Sequence, residues 1–177
     1  MAYSFDENHL GYLQIANTDA GYTTANGTAN AIPTPPATLG CVARAFDPTY
    51  GEGEFIMLLG VANTIVGSCV IWNTTTYQTT LCPTTKNTAR PVAFAMSANG
   101  ASSFGWYQIG GTAIAAKGTA RLQPNVTVAV TTTGLIGNTN SGIEIQGAKF
   151  SSSTTALTAA TTVALVIDRP HMQGRIT

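Results

Sequence analysis

From residue 41 onward the apolar positions of this chain fall in short runs that Gly, Asn, Thr and Pro keep interrupting. Residues 54–62 (EFIMLLGVA) and 64–72 (TIVGSCVIW) are continuous apolar stretches, whereas 74–82 (TTTYQTTLC) alternate weakly. Residues 91–96 (PVAFAM) and 104–109 (FGWYQI) flank a polar connection around Asn99-Gly100 and read as paired strands. Further runs at 112–116, 125–133, 142–150 and 161–168 complete the series. Ile143 and Ile145 alternate with Glu144 and Gln146, the period-two mark of a half-buried strand. Abundant Thr, with Val and Ile, adds the β-branched bias that suits pleated surfaces. There is no capped amphipathic helix of ordinary length. Short strands recurring about every 8–12 residues predict an all-β domain, a sandwich or barrel-like core of short antiparallel strands.

Residues 1–40 follow a different pattern. The stretch NTDAGYTTANGTANAIPTPPATLG has neither helical nor strand periodicity, and Pro33, Pro35 and Pro36 exclude a central strand and favour polyproline-like extension. This predicts an extended N-terminal arm over 1–40 and an all-β core over 41–177. Leu10, Tyr12, Leu13 and Ile15, embedded in the polar arm, predict that one part of it docks on a surface.

Composition narrows the classes. Charged residues are 9% of 177, far below the quarter usual in soluble proteins, yet 44% are hydrophobic, which argues against disorder. The apolar runs are much shorter than the about 20 residues a membrane helix needs. The opening MAYSFDENHL is polar and acidic, unlike a secretory leader, so synthesis and use in a cytosol, or release by lysis, is the expectation. Charge is unevenly spread. Residues 1–54 carry six acidic groups against Arg44, a net −5, and residues 55–177 carry a net +5. Either the two halves neutralise each other within one chain, or the acidic front of one subunit meets the basic body of another. The basic residues form no cluster, so nucleic acid is not an expected partner. Sheet edges are commonly guarded by charge. Here no acidic residue lies between Phe55 and Ile143, so the surface is largely Thr, Ser, Asn, Gln and Gly, which suits a surface covered by copies or partners.

Candidate chemistry is sparse. Cys41, Cys69 and Cys82 lack metal-ligand spacing and are expected to be free thiols. His9 and His171 have no neighbouring ligand types, and no G-x-S-x-G elbow or phosphate loop occurs. Glu52 and Glu54 in GEGEF lie on one side of an extended chain; without further carboxylates nearby they read as a solvated or inter-subunit turn rather than a calcium or acid–base pair. Trp106 and Tyr107 point to opposite faces of a strand and cannot form one stacking platform, so one is expected in the core and the other at a surface. Trp72, in CVIWN, reads as core. No enzyme activity and no cofactor are expected.

The run GCVARAFDPTYGEGEFIMLLGVANTIVGSCVIWN, followed by ARPVAFAMSANGASSFGWYQIGGTAIA and the C-terminal IDRPHM, resembles capsid decoration (cement) proteins of tailed bacteriophages. The resemblance covers about residues 40–114 and 165–172 and rests on DPTYGEGEF, the Val-Gly-Ser-x-Val step, PVA-x-AMS and GWYQI-x-G. It implies a β-barrel or β-tulip fold, homotrimers on the outside of a virion capsid, and the phage major capsid protein as partner. The contacts expected on this reading come from the arm (Leu10, Tyr12, Leu13, Pro33, Pro35, Pro36), the 47–55 segment (Tyr50, Glu52, Glu54) and the aromatics Phe104, Trp106 and Tyr107. The alternative is a carbohydrate- or receptor-binding module of a head fibre or other virion appendage, which requires an exposed aromatic site.

Overall fold

The computed structural model describes residues 3–6, 13–19, 35–118, 126–138, 142–151 and 161–175. Among them are twelve strands and no helix: β1 (Ser4–Phe5), β2 (Thr18–Asp19), β3 (Val42–Asp47), β4 (Gly51–Leu59), β5 (Cys69–Trp72), β6 (Thr79–Leu81), β7 (Val92–Ala95), β8 (Phe104–Ala116), β9 (Thr127–Thr132), β10 (Leu135–Gly137), β11 (Glu144–Phe150) and β12 (Thr162–Met172). The all-β expectation holds.

The strands form one antiparallel sheet with the order β1-β3-β4-β8-β12-β11-β9-β10. The long β8 is its hub. One edge pairs with β4, and the other meets β2, β7 and β12 in succession. From β7 a branch continues to β5 and then β6. An isolated bridge between Leu59 and Gln78 draws the β6 end back toward β4, but no ladder among the described residues closes the sheet into a barrel. The pairing of PVAFAM with FGWYQI is present, with Phe94 opposite Gln108 and Ala95 opposite Tyr107.

Glycine explains why two runs became one strand. FGWYQI and TAIAA read as separate strands divided by Gly110-Gly111, but β8 runs through both. Gly111 has φ +89°, and a Cβ there would collide with the Glu52 carbonyl oxygen. The register between β4 and β8 shifts at Glu54/Phe55, beside this point. A bulge with a left-handed glycine re-aims a strand without ending it.

The continuous apolar runs belong to strands covered on both sides. Every residue of β5 and β7 is buried. Cys69, Ile71, Val92 and Phe94 pack into one cluster with residues of β8 to β12, including Val130, Ile145, Phe150 and Leu165. Their neighbours Val70, Trp72, Ala93 and Ala95 pack into another with Ile56, Leu58, Tyr107 and Ile109. Trp72 is thus core, as its sequence context indicates.

A third cluster covers the opposite face of β4 and β8, and the N-terminal segments build it. Tyr3 and Ile15 join Phe55, Met57, Phe104 and Trp106, with Phe5, Leu13, Ala37 and Leu39 around them. The Tyr3 hydroxyl donates to the Thr112 carbonyl at 2.9 Å, and the Trp106 indole N–H donates to the Leu13 carbonyl at 2.7 Å. Phe5 meets Trp106 edge to face, with ring centroids 5.4 Å apart. The described parts of the arm therefore dock on their own sheet.

Candidate interaction surface

Strand register assembles most of the main polar cluster. Across four neighbouring strands, Arg44 lies opposite Glu54, Glu54 opposite Gly110, and Gly110 opposite Asp168, so all share one face. Arg44 Nη2 is 3.2 Å from Glu54 Oε1, and Arg169 Nη2 is 3.1 Å from Glu54 Oε2. One carboxylate thus holds two guanidiniums. Each arginine side chain is 67% exposed and that of Glu54 only 23%. Gly53, Gly110 and Gly111 leave the floor low, giving an open groove of about 410 Å³ that Glu52 and Asp168 also line.

Arg169 reaches the groove through an irregularity of its own. It has φ 39°, and across from it the β11–β12 register shifts between Gln146 and Ala148, with Gly147 at φ 77°. Pro170, which cannot donate to a ladder, is accommodated next to this bulge. A second hollow of about 470 Å³ runs along β11 and β12 beside Gln146, Lys149 and Val166, and shares Ile167 and Asp168 with the first.

Exposed apolar side chains border these hollows. On β3, Val42 and Phe46 flank Arg44 and are half exposed, as is Val166 on β12. The β4–β5 connection presents a second apolar spot, Ile65 and Val66. The turn is fixed by Thr64 Oγ1 donating to the Val61 carbonyl and Ser68 Oγ accepting from the Ile65 N–H.

The sequence-derived contact residues divide into four groups. Leu10, Tyr12 and Pro33 lie outside the described residues. Leu13, Pro35, Pro36 and Tyr50 are half-buried, Leu13 and Tyr50 against the N-terminal cluster. Glu52 and Glu54 face the groove, but from inside β4 rather than from a turn; the turn is the tetrad Asp47–Tyr50, where Asp47 Oδ1 accepts from the N–H groups of Thr49 and Tyr50. The aromatics require correction. Trp106 and Tyr107 do point to opposite faces, but both are 0% exposed and Phe104 is 4% exposed. The arm covers Trp106, and the β5–β7 branch covers Tyr107. Trp106 and Tyr107 leave no surface for a neighbour, and Phe104 almost none.

Arg44, Phe46, Val42, Val166 and Arg169 were not singled out from sequence. VARAFD buries Ala45 while exposing the larger Val42 and Phe46, so the alternation is inverted in size and resists a hydrophobic reading. The Glu54–Arg169 pair joins the acidic front to the basic body within one chain, an instance of internal neutralisation. Cys41, Cys69 and Cys82 are not joined in disulfides. Among the described residues no group of three His, Cys, Asp or Glu is placed to hold a metal, and no helix is long and apolar enough to cross a membrane. The face offers ion-paired arginines, open carboxylates and isolated apolar side chains, a set suited to broad complementary contact.

No family model matches the chain, and no curated protein matches it.

Proposed function

We propose that this protein is a structural virion component that binds the outer surface of a tailed-phage capsid, as a homotrimer, and stabilises contacts between major capsid protein subunits. The observation that carries the reading is the outer sheet face, where exposed Phe46, Val42 and Val166 border the Arg44–Glu54–Arg169 cluster of a chain with very few charges. Protein interfaces are depleted in charge at their centres and enriched in aromatics and arginine. The sequence resemblance over 40–114 and 165–172 supports the same reading. Repetition around a symmetric lattice multiplies modest contacts into avidity, so no deep pocket is needed. The action is mechanical: bridging adjacent shell subunits against internal pressure.

The test is a Phe46→Asp variant. The side chain is half exposed, so the fold is retained, while a charge placed in the contact weakens capsid attachment at least about tenfold. Attachment equal to wild type removes this face from the interface. The carbohydrate-binding alternative gains nothing from Trp106 and Trp72, which are both buried and offer no stacking platform.

A further inference from the structure

Two thiols lie deep in the largest core cluster. Cys69 and Cys82 are both 0% exposed, on neighbouring antiparallel segments, directly opposite each other by extension of the Val70–Leu81 pairing. Their Sγ atoms are 2.7 Å apart. Carbon atoms in ordinary packing rest about 3.5–4.0 Å apart and sulfur is larger, so this pair is nearer than unbonded packing favours. The backbones are fixed as well as the side chains. Cys82 N–H donates to the Cys69 carbonyl at 2.9 Å. The Gly134 carbonyl accepts from the Cys69 N–H, and the Gly134 N–H donates to the Cys82 carbonyl, at 2.9 and 3.0 Å. Opposed residues of an antiparallel pair have Cα atoms about 4.5–5.5 Å apart, within the about 4.4–6.8 Å span that a disulfide bridges.

We propose that Cys69 and Cys82 are an oxidation site: the folded protein accepts an intrachain disulfide between them when it meets a low-molecular-weight disulfide. In the first exchange, one cysteine thiolate attacks a sulfur of the oxidant, forming a mixed disulfide and releasing one small thiol. The second cysteine thiolate then attacks the protein sulfur of that mixed disulfide, forming the Cys69–Cys82 bond and releasing the second small thiol. The protein loses two protons and two electrons, and the oxidant is reduced to two thiols. Cys41 takes no part, because its partly exposed thiol belongs to the N-terminal cluster on another face of the sheet.

The site is slow by construction. Burial, reinforced by Cys69, pushes the Cys82 thiol well above its ordinary range, so little thiolate exists near neutral pH. Entry of the oxidant requires β6 to open. That strand has three residues and pairs with β5 alone among the described strands, so a local opening there is far less demanding than global unfolding. A metal reading is disfavoured, since no third ligand type joins the two sulfurs among the described residues.

The experiment uses the full chain, incubated with oxidised or reduced glutathione, then denatured and alkylated with iodoacetamide. Trypsin cuts after Arg44 and Lys86, so one peptide, 45–86, carries both cysteines and Cys41 falls in another. After oxidation the 45–86 peptide is expected without alkyl groups and lighter by two hydrogens, while Cys41 is outside that bond. The oxidised protein melts about 6 °C or more above the reduced form. A Cys82→Ala variant shows no such redox-dependent shift. Two alkyl groups on the peptide after prolonged oxidation, or glutathione adducts on each cysteine in place of the internal bond, would overturn the proposal.

Discussion

Replacing Trp106 by Phe tests whether the N-terminal segments belong to the core. Trp106 is fully buried, donates its indole N–H to the Leu13 carbonyl at 2.7 Å, and meets the ring of Phe5. The substitution deletes one hydrogen bond, worth about 1 kcal/mol net, and orphans a carbonyl at the arm. It also removes three ring atoms from a packed site, about 1–2 kcal/mol when transfer and residual cavity are combined. The expected loss is about 2–3 kcal/mol, or a fall of about 5–10 °C in the melting midpoint for a chain this long. Equilibrium urea unfolding supplies the free energy, and amide exchange of residues 13–19 supplies the location. Protection there falls more than in β9 or β11 if Leu13 is held by the indole. A loss below about 0.5 kcal/mol with unchanged exchange in 13–19 would refute the docking of the arm on Trp106.

Other consequences are as specific. Gly111→Ala puts a side chain at a left-handed φ and into the Glu52 carbonyl, so a loss above about 2 kcal/mol in urea unfolding is expected. Burial raises the Tyr3 and Tyr107 hydroxyls above their ordinary value; for Tyr107 the nearby Thr79 and Asn99 side chains pull the other way but do not offset burial, and among the described residues none makes a well-formed hydrogen bond to its hydroxyl. Folded pKa values above the unfolded value of about 10 mean that this contribution is intact below about pH 10 and is lost as pH rises beyond it. The midpoint therefore falls steeply above about pH 10, and less steeply in Tyr107→Phe, as a pH series of thermal melts will read. Glu54→Gln breaks two bridges to largely exposed arginines, so it costs less than about 1 kcal/mol, an effect that added salt diminishes.

Much of the fold was legible because its strands carry strong local signals. The runs in β5 and β7 are apolar at every position since both of their faces are covered, and Ile143-Glu-Ile-Gln alternates since one face of β11 is open. The failures have physical causes. Gly110-Gly111 looks like a break in sequence but acts as a bend, because positive φ at Gly111 lets β8 change direction while its hydrogen bonds continue. Trp106 and Tyr107 were separable by face from alternation alone. Which faces were covered depended on long-range packing by the arm and the β5–β7 branch, which no local pattern encodes. The outer cluster was hidden for a similar reason. Arg44 and Glu54 meet across the β3–β4 hairpin, but Arg169 is 115 residues from Glu54 and reaches it only because β4 and β12 both pair with β8.

Attachment to a shell is the central claim, and direct binding measures it most plainly. Purified protein is mixed with expanded phage capsids that lack it, and the particles are sedimented. The account predicts saturable co-sedimentation and a higher shell-disruption temperature. Unbound protein at all concentrations, with the shells disrupting at an unchanged temperature, would contradict it.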